Sequence, residues 1–230
     1  MLELFPQGFE ETERDGGVAL VAYTDAQGEE RLWHVFGGAQ SVDVADGWED
    51  RWRTFHRPVQ VGRLWVGPPW EHPDPALVPV VVDPDRAFGT GAHPTTRLCL
   101  ELLQRLEPGS LLDVGCGAGV LSVAAARLGY APVTGVVVEQ ASVDATRANA
   151  AANGVDVTAL LIAPDGTLPA AATAVANISL EAVQALDGRI DVDCLITSGY
   201  LADNAVAPAG FVHVERTVSE GWAADLLRRA

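Results

Sequence analysis

Three glycines at alternate positions, Gly115, Gly117 and Gly119, follow directly on the apolar run "SLLDV" and lead into "VLSVAAARLG". A strand that empties into a loop so poor in side chains, and then into a helix, belongs to a βαβ unit. The alternation continues. "PVTGVVV" predicts a second buried strand, and "ASVDATRANAAANG" a second helix ended by Gly154, as Gly129 ends the first. "VTALLIA", "ATAVANI" and "DCLITSG" predict further strands, with "SLEAVQAL" a short helix between the last two. Short apolar strands alternating with helices imply an α/β fold, a doubly wound and mostly parallel sheet covered on both faces. The tail, "GFVHVERTVSEGWAADLLRR", reads as a closing pair of strands, or as a strand and a short helix.

The region before this pattern is different. "GGVALVAYTD" then "GEERLWHVFGG" suggests a strand followed by a helix, and "WEDRWRTFHRPV" a connecting helix. The expected organisation is a small α+β appendage at 1–45, a linking helix and strands at 46–85, and the main domain at 86–230. Five of the six tryptophans (Trp33, Trp48, Trp52, Trp65, Trp70) fall before the main domain. They are expected to fill a small core or interface, with a peptide platform as the alternative.

Composition removes several function classes. The net charge is −16, whereas gripping a phosphate backbone needs a basic face, so direct nucleic-acid binding is not expected. An acidic chain would instead meet a basic protein readily. All 15 basic residues are arginine, which rules out Schiff-base chemistry on a lysine. The apolar runs are too short to span a bilayer, and the first residues do not form a signal peptide. Cys99, Cys116 and Cys194 are far apart with no CxxC pair, as suits a reducing cytoplasm and neither a zinc site nor a disulfide framework. The histidines show no ligand spacing, so no metal is expected.

Ligands in such sheets bind beyond the carboxyl ends of the strands. A nicotinamide fingerprint needs G-x-G-x-x-G, but Val120 stands where the last glycine belongs. Asp113, just before the loop, would repel a pyrophosphate yet accept from the amine of an amino-acid moiety. The loop therefore favours S-adenosylmethionine over a dinucleotide, the plainer alternative being a tight turn without a ligand. "AFGTGAHPTTRLCLELLQRL" joins a second glycine-containing loop (Phe88, Gly89, Gly91) to an amphipathic helix that carries Thr95 and Thr96 at its start. These hydroxyls are candidate ligand contacts or plain caps. His93 is near enough to move a proton, although capping is the commoner role. Asn177 ends the strand "ATAVAN" on the ligand edge, or else begins an Asx turn.

Together "GWEDRWRTFHRPVQVGRLWVGPPW", "AFGTGAHPTTRLCL", "LLDVGCGAGVLSVAAARLG", "ATRANAAANGV", "VANI" and "TSGYL" resemble the family that methylates ribosomal protein L11. The resemblance implies a seven-stranded fold with S-adenosylmethionine as cofactor. It also implies contacts from Thr96, Gly115 and Asn177, with Asn177 and Thr96 serving catalysis. Phe88, Gly89, Asp113, Gly117, Gly119 and Glu139 complete the expected cofactor site, and the expected partner is a basic, ribosomal protein substrate. Two departures stand out. Val137 replaces the acid that holds the cofactor ribose, with Glu139 two residues on and expected on the same strand face. The region before "WEDRW" is also shorter than the family's recognition domain. The alternative expectation is a methyltransferase scaffold kept for binding without catalysis.

Overall fold

The computed structural model describes residues 10–14, 17–21, 32, 33, 35, 36, 56–83 and 91–230. The chain divides into two compact units, Met1–Trp52 and Arg53–Ala230. In the first, β1 (Glu10–Arg14) pairs antiparallel with β2 (Gly17–Val21), Glu10 opposite Val21. β2 lies in the predicted strand. β1, "EETER", has no apolar alternation and no signal by which to anticipate it. Residues 32, 33, 35 and 36 are helical, as expected, and Trp33 and Phe36 are each about half exposed. The connecting helix expected from residue 48 lies mostly outside the described residues. Its last part is corrected: residues 56–58 are irregular, Pro58 cannot donate within a helix, and Val59 opens a strand.

The second unit begins with a three-stranded sheet of β3 (Val59–Val61), β4 (Leu64–Gly67) and β5 (Val78–Val81), with β3–β4 antiparallel and β4–β5 parallel. Val61, Leu64, Val66 and Val80 are buried in the main core, so these strands are integral to the unit and do not merely link. Trp65 is buried as well.

α1 (Pro94–Leu103) follows. Proline in the first turn loses no helical hydrogen bond, and Leu98 and Leu102 bury one face. Then come β6 (Leu111–Val114), α2 (Val120–Leu128), β7 (Val133–Val137), α3 (Gln140–Asn153), β8 (Thr158–Leu161), β9 (Ala171–Asn177), α4 (Leu180–Gln184), β10 (Val192–Leu201), β11 (Phe211–Ser219) and β12 (Trp222–Arg229). Gly129 and Gly154 end α2 and α3 in the left-handed conformation. The tail is thus a strand pair, without the alternative helix.

Seven strands form one sheet in the order β11-β12-β10-β9-β6-β7-β8. Neighbours from β10 to β8 run parallel, and β12 runs antiparallel to both β10 and β11. Strand alternation sorts the core into two layers. Leu111, Val175 and Ile196 face α1 and α2, whereas Leu112, Ala174, Ala176 and Leu195 face the opposite layer. Both faces are covered, which explains why these strands read as unbroken apolar runs. After β6 the chain winds outward to β7 and β8, then returns to β9 on the other side of β6. The direction of winding reverses between β6 and β9, where an open parallel sheet presents its ligand crevice.

Candidate active site

The loop after β6 and the end of β9 flank that reversal. Gly115, Gly117 and Gly119 have φ of 75°, 52° and 80°, a region that side chains rarely enter. A Cβ on Gly115 would collide with Ile178, and one on Gly119 would stand 2.8 Å from Thr146. The first and third glycines therefore allow the loop to lie between the β9 end and α3. Gly119 is the N-cap of α2 and has no side chain to cap it, so the start of that helix offers backbone N–H groups to an anion.

The loop is held from behind by a set of residues not singled out in the sequence. Thr146 donates to the Gly117 carbonyl at 2.9 Å, and Asn149 donates to the Ala118 carbonyl at 2.8 Å. Asn149 also accepts from the Asp83 N–H at 3.0 Å, and Asn153 accepts from the Val81 N–H at 2.9 Å. All three are buried. Their spacing on α3 (146, 149, 153) marks one helical face, and polar residues on the buried face of an alanine-rich helix were the available signal.

Asp113 corrects an expectation. Strand alternation turns it toward α2, where it is 2% exposed and its carboxylate accepts from the Ser122 hydroxyl at 2.6 Å. Burial raises its pKa to about 6 against the opposing effect of the Ser122 hydrogen bonds. Its carboxylate is therefore spent on the start of α2 and does not face the crevice to receive an amine.

On the other side, Asn177 sits on the same face of β9 as Val175, which packs toward α1. Its Nδ2 donates to Thr96 Oγ1 at 3.3 Å, leaving the amide oxygen for a ligand. Thr96 is buried in the first turn of α1. His93 caps that turn: its Nδ1 lies 2.8 Å from Thr95 Oγ1 and accepts from the Thr95 N–H at 3.4 Å. Burial, helped by the charge of Arg97, lowers the His93 pKa, while Glu220 opposes the shift. With Nδ1 engaged at Thr95, the ring serves as the cap of α1. The structure thus brings together Thr96, Asn177 and the three glycines. Phe88 and Gly89 lie outside the described residues.

The ribose side differs from the expectation. Val137 ends β7 and is buried with Cys116, Val143 and Ala159. β7 stops there, so the alternation does not reach Glu139, which is the exposed N-cap of α3. Burial pushes the neighbouring Cys116 thiol up to about 12, leaving it a packing residue. Among the described residues no group of His, Cys, Asp or Glu is arranged to hold a metal, and no helix is long and apolar enough to cross a membrane.

Residues 9–229 match the sequence model of the ribosomal protein L11 methyltransferase family. Over 122 residues the chain is 46% identical to the ribosomal protein L11 methyltransferase of Shewanella sediminis, covering 51% of this chain and 42% of that relative. Over 123 residues it is 51% identical to the ribosomal protein L11 methyltransferase of Dechloromonas aromatica, with the same shares covered. The chain thus matches less than half the length of these curated relatives. The crystal structure of the ribosomal protein L11 methylase from Lactobacillus delbrueckii subsp. bulgaricus superposes with a TM-score of 0.65 at 27% identity, covering 76% of this chain and 99% of that one.

Proposed function

The chain belongs to the ribosomal protein L11 methyltransferase family, and on that premise we propose that it methylates amino groups of ribosomal protein L11 with S-adenosylmethionine, in the cytoplasm. The observation that carries this reading is the pairing of the three-glycine loop with the Asn177–Thr96 hydrogen bond across the winding reversal.

The residues present fit this cofactor at its amino-acid end. The positive-φ glycines leave the loop free of side chains, which allows close approach there. At the ribose position the Val137 side chain has no acceptor, and Glu139, exposed beside it, is the acid within the same strand-to-helix turn. We assign the ribose contact to Glu139. When bound, S-adenosylmethionine supplies an electrophilic methyl group on a sulfonium.

The chain's part in the reaction is orientation. Thr96 fixes the Asn177 amide through Nδ2, so that its oxygen accepts an N–H of the incoming amine and aims the nitrogen lone pair. Asp113 and Ser122 hold the start of α2, while Thr146 and Asn149 hold the loop carbonyls. A lysine amine is protonated at neutral pH, with a pKa near ~10.4. It must lose a proton before it can react. The net charge of −16 favours encounter with a basic ribosomal protein.

Transfer of radiolabelled methyl groups to isolated ribosomal protein L11, with Asn177→Ala as control, tests this reading. Label is expected with the natural chain and about a hundredfold less with the variant. Equal labelling by both would remove Asn177 from its role. The second reading, a scaffold that binds without catalysis, is favoured by Val137 alone. It predicts no label with any ribosomal protein.

A further inference from the structure

The turn between β11 and β12 breaks a local rule. Ser219 and Trp222 pair across the hairpin, and Glu220 and Gly221 connect them. Both connecting residues have positive φ, 52° and 80°, the twist that two-residue hairpins favour. Glycine, asparagine and aspartate are the usual occupants, because a Cβ crowds the following carbonyl and only a short polar side chain offsets this by bonding locally. Among the described residues Glu220 alone has positive φ without being a glycine.

In that place the glutamate has a partner. Its carboxylate forms an ion pair with Arg97 of α1. On the other side of the turn the Trp222 ring meets His93 edge to face, with centroids 4.8 Å apart and planes at 71°. His93 and Arg97 stand on either side of Thr96, whose hydroxyl receives Asn177. Stability does not account for the glutamate: side-chain exposures of 31% for Arg97 and 63% for Glu220 describe a solvated pair of small net value. The turn itself would be better served by glycine.

We infer that Glu220 is a positioning residue: through Arg97 and Trp222 the hairpin turn grips the first turn of α1 and holds Thr96 within reach of Asn177. The consequence for catalysis rests on the proposed methyl transfer, whereas the grip does not.

Amide hydrogen exchange in the ligand-free protein reads the grip at Thr96 and Arg97, whose N–H groups both donate to the His93 carbonyl. Glu220→Gly is expected to leave Tm unchanged or raise it by up to about 3 °C. It is expected to speed exchange of those two amides by about three- to fivefold, and to lower kcat. Reversing the pair, Arg97→Glu with Glu220→Arg, restores slow exchange where each single change does not. Glu215→Gln, which breaks the Arg105–Glu215 pair, is the control and leaves both amides unchanged. Unaltered exchange in Glu220→Gly, no rescue by the reversed pair, or equal acceleration by the control would each overturn the inference. If the natural chain transfers no methyl group, the functional reading falls while the exchange rates still decide the grip.

Discussion

The amide nitrogen of Asn177, at the end of β9, donates to the hydroxyl oxygen of Thr96, in the first turn of α1, across 3.3 Å. Two elements distant in sequence meet there at the crevice, and the contact fixes which way the Asn177 oxygen points. Thr96→Val keeps the shape and removes the acceptor. Its expected cost is about 1 kcal/mol in stability and about tenfold or more in kcat, with little change in cofactor affinity. Urea denaturation and steady-state kinetics measure the two effects separately. An unaltered kcat would show that Asn177 needs no support from Thr96.

Glu139 is exposed and, as the N-cap of α3, makes no side-chain capping bond. Glu139→Ala is therefore expected to preserve Tm while weakening S-adenosylmethionine binding about ten- to a hundredfold, the worth of a charge-assisted pair of hydrogen bonds. Calorimetric titration of the variant gives the comparison. Unchanged affinity would show that the site works without a ribose acceptor, and Val137→Asp would then be the substitution that strengthens it.

Asn149 joins α3 to the Ala118 carbonyl and to the Asp83 N–H. Asn149→Leu leaves two main-chain groups without this partner. The expected cost is about 2–4 kcal/mol by denaturation, together with weaker cofactor binding from a loosened glycine loop. A stable variant with full affinity would reduce Asn149 to a filler of space.

The sheet was legible because its strands are buried on both faces and separated by glycine-capped helices. β6, β7, β8, β9 and β10 with α2, α3 and α4 all lie where the apolar runs and glycines put them. β1 escaped because "EETER" carries neither alternation nor apolar residues. The glycines, Thr96 and Asn177 were readable as candidates, since a polar residue at the end of a buried strand is conspicuous. Their mutual contact was not, because it depends on which face of β9 looks toward α1. The same dependence on facing misled the reading of Asp113, whose partner Ser122 is nine residues on, in α2. Glu139 was misplaced for a simpler reason: β7 ends two residues before it.

Asp113 makes stability depend on pH in an unusual direction for a carboxylate. Its folded pKa is about 6 against an ordinary 3.8, raised by burial. The folded state thus holds this proton more tightly than the unfolded chain, and the group's contribution becomes less favourable as pH rises from about 4 to 6. Between pH 4.5 and 7 the change is about 2 kcal/mol. Asn in its place does not titrate. Stability of the natural chain relative to Asp113→Asn is therefore expected to fall by about that amount over this range, as read by urea denaturation at both pH values. Asp225 works in another window: burial raises its pKa, but hydrogen bonds from Arg216, Tyr200 and His213 outweigh this and hold it below 3.8. Its stabilisation is lost only in stronger acid, which keeps the two effects apart.

On the proposed reading, the crevice between the β6 loop and the β9 end receives a sulfonium nucleoside. Isothermal titration of the intact chain with S-adenosylmethionine tests it most directly. Saturable binding at one site per chain, with no heat from NAD at the same concentration, is the predicted result. No heat from S-adenosylmethionine, or binding of NAD in its place, would contradict it.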